Sequence, residues 1–101
     1  MPMTVRTSDD EAAYELLEES NSRIHIARGV LETVRFLEKG RARTVLMAEN
    51  VEPSDRLNIV RSLCEQKGVA IILVSDRFRL GRAAGLDVGA SCVALPVVLP
   101  L

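Results

Sequence analysis

Five kinds of residue in this sequence could carry chemistry: two cysteines (Cys64, Cys92), one histidine (His25), the paired acids Asp9-Asp10 and Glu18-Glu19, the evenly spaced glycines Gly81, Gly85 and Gly89, and a large excess of arginine over lysine. Cys64 falls on an apolar stripe of helical spacing and Cys92 in a short apolar run, which suits small core residues rather than nucleophiles. They have neither CxxC spacing nor enough partners for zinc, and two are too few for a disulfide framework, so a reducing compartment is expected. His25 has no acid partner at local spacing, and a lone histidine cannot form a His-pair metal site. The acid pairs sit at the two ends of one predicted helix, in solvent, where a general acid and base are not expected to meet. The glycines match neither GxGxxG nor a phosphate loop and read as turn and cap positions. The sequence therefore predicts no catalytic residue, metal site or cofactor, and no small-molecule substrate.

Arginine is what remains. Eleven of the thirteen bases are arginine, whose planar fork suits phosphates and guanine edges better than an ammonium does. The net charge of -1 hides an uneven distribution. Residues 1–20 hold six acids against Arg6 alone, whereas residues 21–48 hold six bases against Glu32 and Glu38. The competing reading of this pattern is an ordinary solvated surface of mixed charge.

The elements that must position these residues follow from periodicity. Ser8 with Glu11 three residues on is a capping box that opens a first helix, striped by Ala13, Leu16 and Leu17 and broken at Ser20-Asn21-Ser22. Arg23 to Ala27 alternates as a short strand. Gly29 opens a second helix, with Val30, Val34 and Leu37 on one face, and Gly40 closes it. Thr44 to Ala48 is a buried strand, and Pro53-Ser54 starts a third helix striped by Leu57, Val60, Leu63 and Cys64. Val69 to Val74 is a strand rich in β-branched residues, Asp76 caps a fourth helix that reaches about Ala84, and Ser91 to Leu95 is a last strand. Pro96 and Pro100 are not expected inside a central ladder.

Strands and helices alternate, and the strands are too apolar to leave one face in water. The expected fold is α/β, a three-layer αβα sandwich around a mixed sheet of about four strands. Its core should hold Ile24, Val34, Leu37, Val45, Leu46, Leu57, Val60, Leu63, Ile71, Leu73 and Val93. The 101 residues, 48% of them apolar and 27% charged, make one domain over 1–101 with its core at about 8–98. No basic segment precedes an apolar stretch, and no run of 18 apolar residues occurs, so a soluble cytoplasmic protein without membrane contact is expected.

Within that frame one segment suits RNA. A helix that begins at Gly29 offers unpaired N–H groups and a positive dipole end to a phosphate, with no side chain in the way. Arg28 and Arg35 flank that end, and Glu32 could accept from a guanine edge. The loop from Leu86 through Val88 to Ala90 is small and apolar enough to lie against an unstacked base. An ordinary helix start with i,i+3 pairing of Glu32 and Arg35 is the plainer alternative.

Several separated motifs in order carry a resemblance. Ala27-Arg28-Gly29 opens a helix with Glu32 and Arg35; a strand ends Met47-Ala48-Glu49-Asn50; then come Leu63-Cys64-Glu65, Leu80-Gly81-Arg82-Ala83-Ala84-Gly85 and Ser91-Cys92-Val93. From about Ile24 to Val98 this resembles the kink-turn RNA-binding superfamily of small ribosomal and ribonucleoprotein proteins. The acidic first helix, and the absence of Leu-Pro before Leu63-Cys64-Glu65, are similar to its small-ribosomal-subunit members. Leu31 departs from the kink-turn readers, which carry asparagine there. The resemblance implies Gly29 as an RNA-facing helix start, Glu32 as the former guanine contact, Arg28 and Arg35 as phosphate contacts, and the Leu86 to Ala90 loop as the second lip. Lys39, Arg79 and Arg82, with Arg77, are further expected phosphate contacts, and the acidic helix is expected to face solvent or a neighbouring protein. The function implied is a non-catalytic constituent of the small ribosomal subunit that contacts ribosomal RNA and neighbouring subunit proteins. A kink-turn-reading ribonucleoprotein core protein and a protein-interaction module with the same fold are the alternatives.

Overall fold

Val45 to Ala48 and Val69 to Val74 are apolar at successive positions, so strands built from them need a helical layer on each side. A computed structural model describes residues 4–6, 10–21, 24–49 and 55–97 and has that arrangement. The order is β1 (Thr4–Arg6), α1 (Asp10–Asn21), β2 (Ala27–Arg28), α2 (Gly29–Glu38), β3 (Ala42–Ala48), α3 (Asp55–Lys67), β4 (Ala70–Val74), α4 (Arg77–Ala83) and β5 (Cys92–Pro96). The strands form one mixed sheet, β1-β4-β3-β5-β2. β1 and β3 run parallel to β4, whereas β5 runs antiparallel to both β3 and β2.

The period of two in the strands sorts side chains onto two faces. Leu46 and Ala48 of β3, Val93 and Leu95 of β5 and Val74 of β4 lie under α1 and α4, with Tyr14, Leu17, Leu80 and Ala83. Val45 and Met47, Cys92 and Ala94, and Ile71 lie under α2 and α3, with Leu37, Leu57, Val60 and Cys64. The single core expected from sequence is thus two cores divided by the sheet. Ile24, Val34, Leu63 and Leu73 pack at their margins, only partly buried.

Other expectations shift with pairing. The described residues contain five strands, not about four. The addition is β1, three residues whose partner is the distant β4. The strand expected over 23–27 is β2, only two residues long, although Ile26 is buried and His25 exposed as the alternation implied. Pro96 does end a ladder: it sits opposite Ala42 where the β3–β5 register shifts, an irregularity that tolerates a missing N–H. Ser8 and Pro53-Ser54, read as helix starts, lie outside the described residues. Asp76 caps α4 as expected, its side chain accepting from the Phe78 N–H at 2.9 Å.

Candidate nucleic-acid interface

The antiparallel pairing of β2 and β5 sets Arg28 opposite Val93, so the start of α2 lies beside the segment that leads into β5. The exit of β3 reaches the same end, where the Ala48 N–H donates to the Ser91 carbonyl at 2.9 Å. One end of the sheet therefore gathers the α2 start and the loop over 84–91. The two glycines at this end have separate reasons. Gly29 takes φ +85 in open space, with nothing within 4 Å of where a Cβ would stand, and the backbone turns into α2 without a side-chain cap from Arg28 on the first N–H groups. Gly81, expected at a turn, instead lies buried inside α4, where a Cβ would come within 1.9 Å of the Val88 carbonyl oxygen. It lets the 86–90 loop close down on the helix.

Arg28 is a strut rather than an exposed cation. Its Nε donates to the Ala84 carbonyl at 2.6 Å, its Nη1 to the Ile26 carbonyl at 3.3 Å, and its Nη2 to Asn21 Oδ1. The half-buried guanidinium thus ties the end of α1, the end of α4 and the start of α2 together, with three of its five donors committed. Its backbone N–H donates to Glu32 Oε1 at 3.3 Å, so one oxygen of Glu32 already steadies the helix start. Arg79 is engaged too: Nη2 meets Glu11 Oε1 and Nη1 meets Glu18 Oε1, both at 2.7 Å, with the guanidinium 4.8 Å from the Tyr14 ring centroid. The hydrogen bonds it donates to Glu11, then to Glu18, push its pKa up and hold its charge. The acidic first helix therefore neutralises α4 as well as facing outward.

Among the described residues no carboxylate pairs with the exposed Arg35, Lys39 or Arg82. Arg35 and Lys39 line a shallow cleft of about 350 Å³ with His25, Glu32, Phe36 and Arg41. His25 lies against the Phe36 ring at 5.9 Å between centroids. The i,i+4 spacing of Arg35 and Lys39 was visible in the sequence. His25 and Arg41 were missed because they arrive from β2's approach and from the α2–β3 turn. Leu31 and Val88 project into solvent, at 65% and 67% exposure, while Leu86 is half-buried against the α1/α4 core. The end of the sheet thus presents an open helix N-terminus and an apolar lip, and from it a cationic flank of Arg35 and Lys39 runs along α2 to the C-cap of the helix, a combination that can hold phosphates beside an unstacked base.

The thiols are placed elsewhere. Cys64 and Cys92 are buried between the sheet and the α2/α3 layer. Burial pushes Cys64 up to about 11 and raises Cys92 as well, so neither is a ready thiolate.

Solved structures share this architecture. A 15.5 kD RNA-binding protein of Giardia lamblia superposes with a TM-score of 0.80 at 22% identity, over 91% of this chain and 78% of that one. A protein of unknown function from Bacillus halodurans gives a TM-score of 0.72 at 17% identity, over 81% of each chain. At those identities the likeness is one of fold. The sequence itself goes further, since the family model for the Ribosomal protein L7Ae/L30e/S12e/Gadd45 family matches residues 11–98, and this chain belongs to that family.

Proposed function

We propose that the protein binds RNA without catalysis, as a constituent of the small ribosomal subunit, through the end of the sheet where α2 begins. The observation that carries the reading is the unobstructed Gly29 turn beside the apolar 86–90 loop, in a chain of a ribosomal-protein family. Arg35, Lys39 and Arg82 contribute phosphate contacts, Gly29 and Glu32 face the RNA, and Leu86 and Val88 form the second lip. Arg28 and Arg79 act within the protein, the first by holding the α2 start against the 84–90 loop. Ribosomal RNA and neighbouring subunit proteins are the partners, and the site of action is the cytoplasmic ribosome. The solved relative from Giardia, described as RNA-binding, supports the broader half of this reading.

Reading of a kink-turn in a small ribonucleoprotein is the second possibility, and Leu31 weighs against it. An exposed leucine stands where kink-turn readers resemble one another in carrying an asparagine, whose amide can hydrogen-bond a base edge. Co-sedimentation tests the choice. The native chain should travel with small ribosomal subunits on a sucrose gradient, and a folded Arg35→Glu/Lys39→Glu variant should stay at the top. A variant that travels unchanged removes this edge as the contact. A native chain that ignores subunits but binds a kink-turn RNA supports the second reading.

A further inference from the structure

We propose that the cleft along α2 seats a phosphate of the bound RNA, with His25 and Arg41 as binding residues beside Arg35 and Lys39, and that His25 makes this contact as an imidazolium. The proposal rests on the RNA-binding reading above and adds two contacts from outside α2, one of which ties RNA affinity to pH.

Three segments build the cleft. Glu32, Arg35, Phe36 and Lys39 stand on successive turns along one side of α2. His25 comes from the approach to β2, where the burial of Ile26 turns its neighbour outward, and its ring lies 5.9 Å from that of Phe36 at an angle of 55°. Arg41 comes from the α2–β3 turn. Its N–H donates to the Phe36 carbonyl at 2.8 Å, and its own carbonyl accepts from the Val97 N–H at 2.7 Å. The backbone that carries this guanidinium is therefore fixed against the end of α2 and the exit of β5.

The charged groups that face His25 among the described residues are Glu32, Arg35 and Lys39 of α2 and Arg41 of the turn. Three cations thus meet one carboxylate, and an oxygen of that carboxylate already accepts from the Arg28 N–H. Among the described residues neither the three cationic side chains nor the imidazole has a hydrogen-bond or ion-pair partner. Open donors with an excess of positive charge are what a phosphodiester neutralises. Glu32 belongs both to this cleft and to the α2 start, and Gly29 and Lys39 are about 15 Å apart along the helix at 1.5 Å per residue. A strand whose phosphate meets Gly29 can therefore carry a later one into the cleft. An acidic protein segment would find the same cations without this continuity with the RNA edge, so RNA is the occupant favoured. The phosphate and the ring proton then reinforce one another, because each strengthens the binding of the other by the same factor. Histidine is the side chain that ordinarily changes charge between about pH 5 and 8, a range in which the phosphodiester stays ionised.

The test uses the full chain and a hairpin RNA with a three-nucleotide bulge. Native affinity should rise roughly 2- to 5-fold from about pH 8 to about pH 5.5, the worth of one exposed ion pair, and its salt slope should steepen by about 0.7–0.9. The chain has a single histidine, so His25→Gln should remove both changes, while the terminal amino group, which also titrates in this window, is retained in the variant. Arg41→Ala should lower the salt slope by about 0.7–0.9 at either pH. In the native chain the ring resonances of the imidazole should titrate at higher pH with RNA bound than without it. Native affinity independent of pH, a native pH profile in His25→Gln, or a ring titration that RNA does not move overturns the proposal and leaves the RNA reading standing. A ring titration moved by polyglutamate and not by RNA reassigns the cleft to an acidic protein partner and equally overturns it. If His25→Gln fails to fold, the ring titration of the native chain decides. No RNA binding by the native chain at any pH defeats both readings.

Discussion

Arg28→Ala should destabilise the fold, although the residue stands at the edge of the sheet in a position that sequence assigns to a phosphate. Three hydrogen bonds run from its guanidinium, to the Ala84 and Ile26 carbonyls and to Asn21 Oδ1. A hydrogen bond to a charged group is worth about 1.5–3 kcal/mol when well buried. Here the site is half-buried, one bond is long at 3.3 Å, and water can reach the vacated acceptors, so about 2–4 kcal/mol in total is the expected loss. In urea that moves the midpoint down by about 1–2 M. Arg28→Lys should recover less than half of the loss, because an ammonium cannot reach three acceptors arranged for a planar fork. A double-mutant cycle with Asn21→Ala should show a coupling of about 0.5–3 kcal/mol, and Arg35→Ala, whose side chain is exposed, should stay within about 0.5 kcal/mol of the native chain. An unchanged midpoint for Arg28→Ala would refute the strut and return Arg28 to the RNA-facing surface.

Leu46→Ala, at a position 1% exposed in β3, should cost about 2–5 kcal/mol in denaturant unfolding, and a native midpoint would deny the α1/α4 core. Gly81→Ala should displace the 86–90 loop, since a Cβ there would meet the Val88 oxygen at 1.9 Å; a loss of about 1–3 kcal/mol together with weakened RNA binding is expected, checked by unfolding and by titration. Thiol reagents should label Cys64 and Cys92 slowly in the folded chain and fast in urea. The folded Cys64 pKa, raised to about 11 by burial, favours the protonated native state, so this contribution is present below the ordinary value of 9 and is lost as pH rises toward 11. Melting temperature should accordingly fall more steeply across pH 9–11 in the native chain than in Cys64→Ala.

The sheet was legible where periodicity had length to act. From Thr44 onward in β3, and in β4 and β5, the alternate residues divide cleanly between two faces, and the strands were found within two residues. β1 was not legible, because Thr-Val-Arg has no period and becomes a strand only through its pairing with β4. The candidate site divides along the same line. Gly29, Glu32, Arg35 and Lys39 lie on one helix and could be read from local spacing. The engagement of Arg28 could not, since Ala84 stands 56 residues away, nor that of Arg79, whose partner Glu11 is 68 residues distant. Arginines look alike in sequence, and tertiary contacts decide which of them keeps its charge for a partner.

The central claim is that RNA meets the end of the sheet at the α2 start and the 86–90 loop, and titration of the isotopically labelled chain with a hairpin RNA that carries a three-nucleotide bulge, followed by amide chemical shifts, tests it most directly. The account predicts that the largest changes fall at Gly29, Leu31, Glu32, Arg82, Val88 and Gly89, with Arg35 and Lys39 along the cationic flank, and that the exposed side of α3 around Ile59 and Ser62 stays silent. Changes centred on the groove between α2 and α3, at Val34, Ile59 and Leu63, or the absence of any change at saturating RNA, would contradict it.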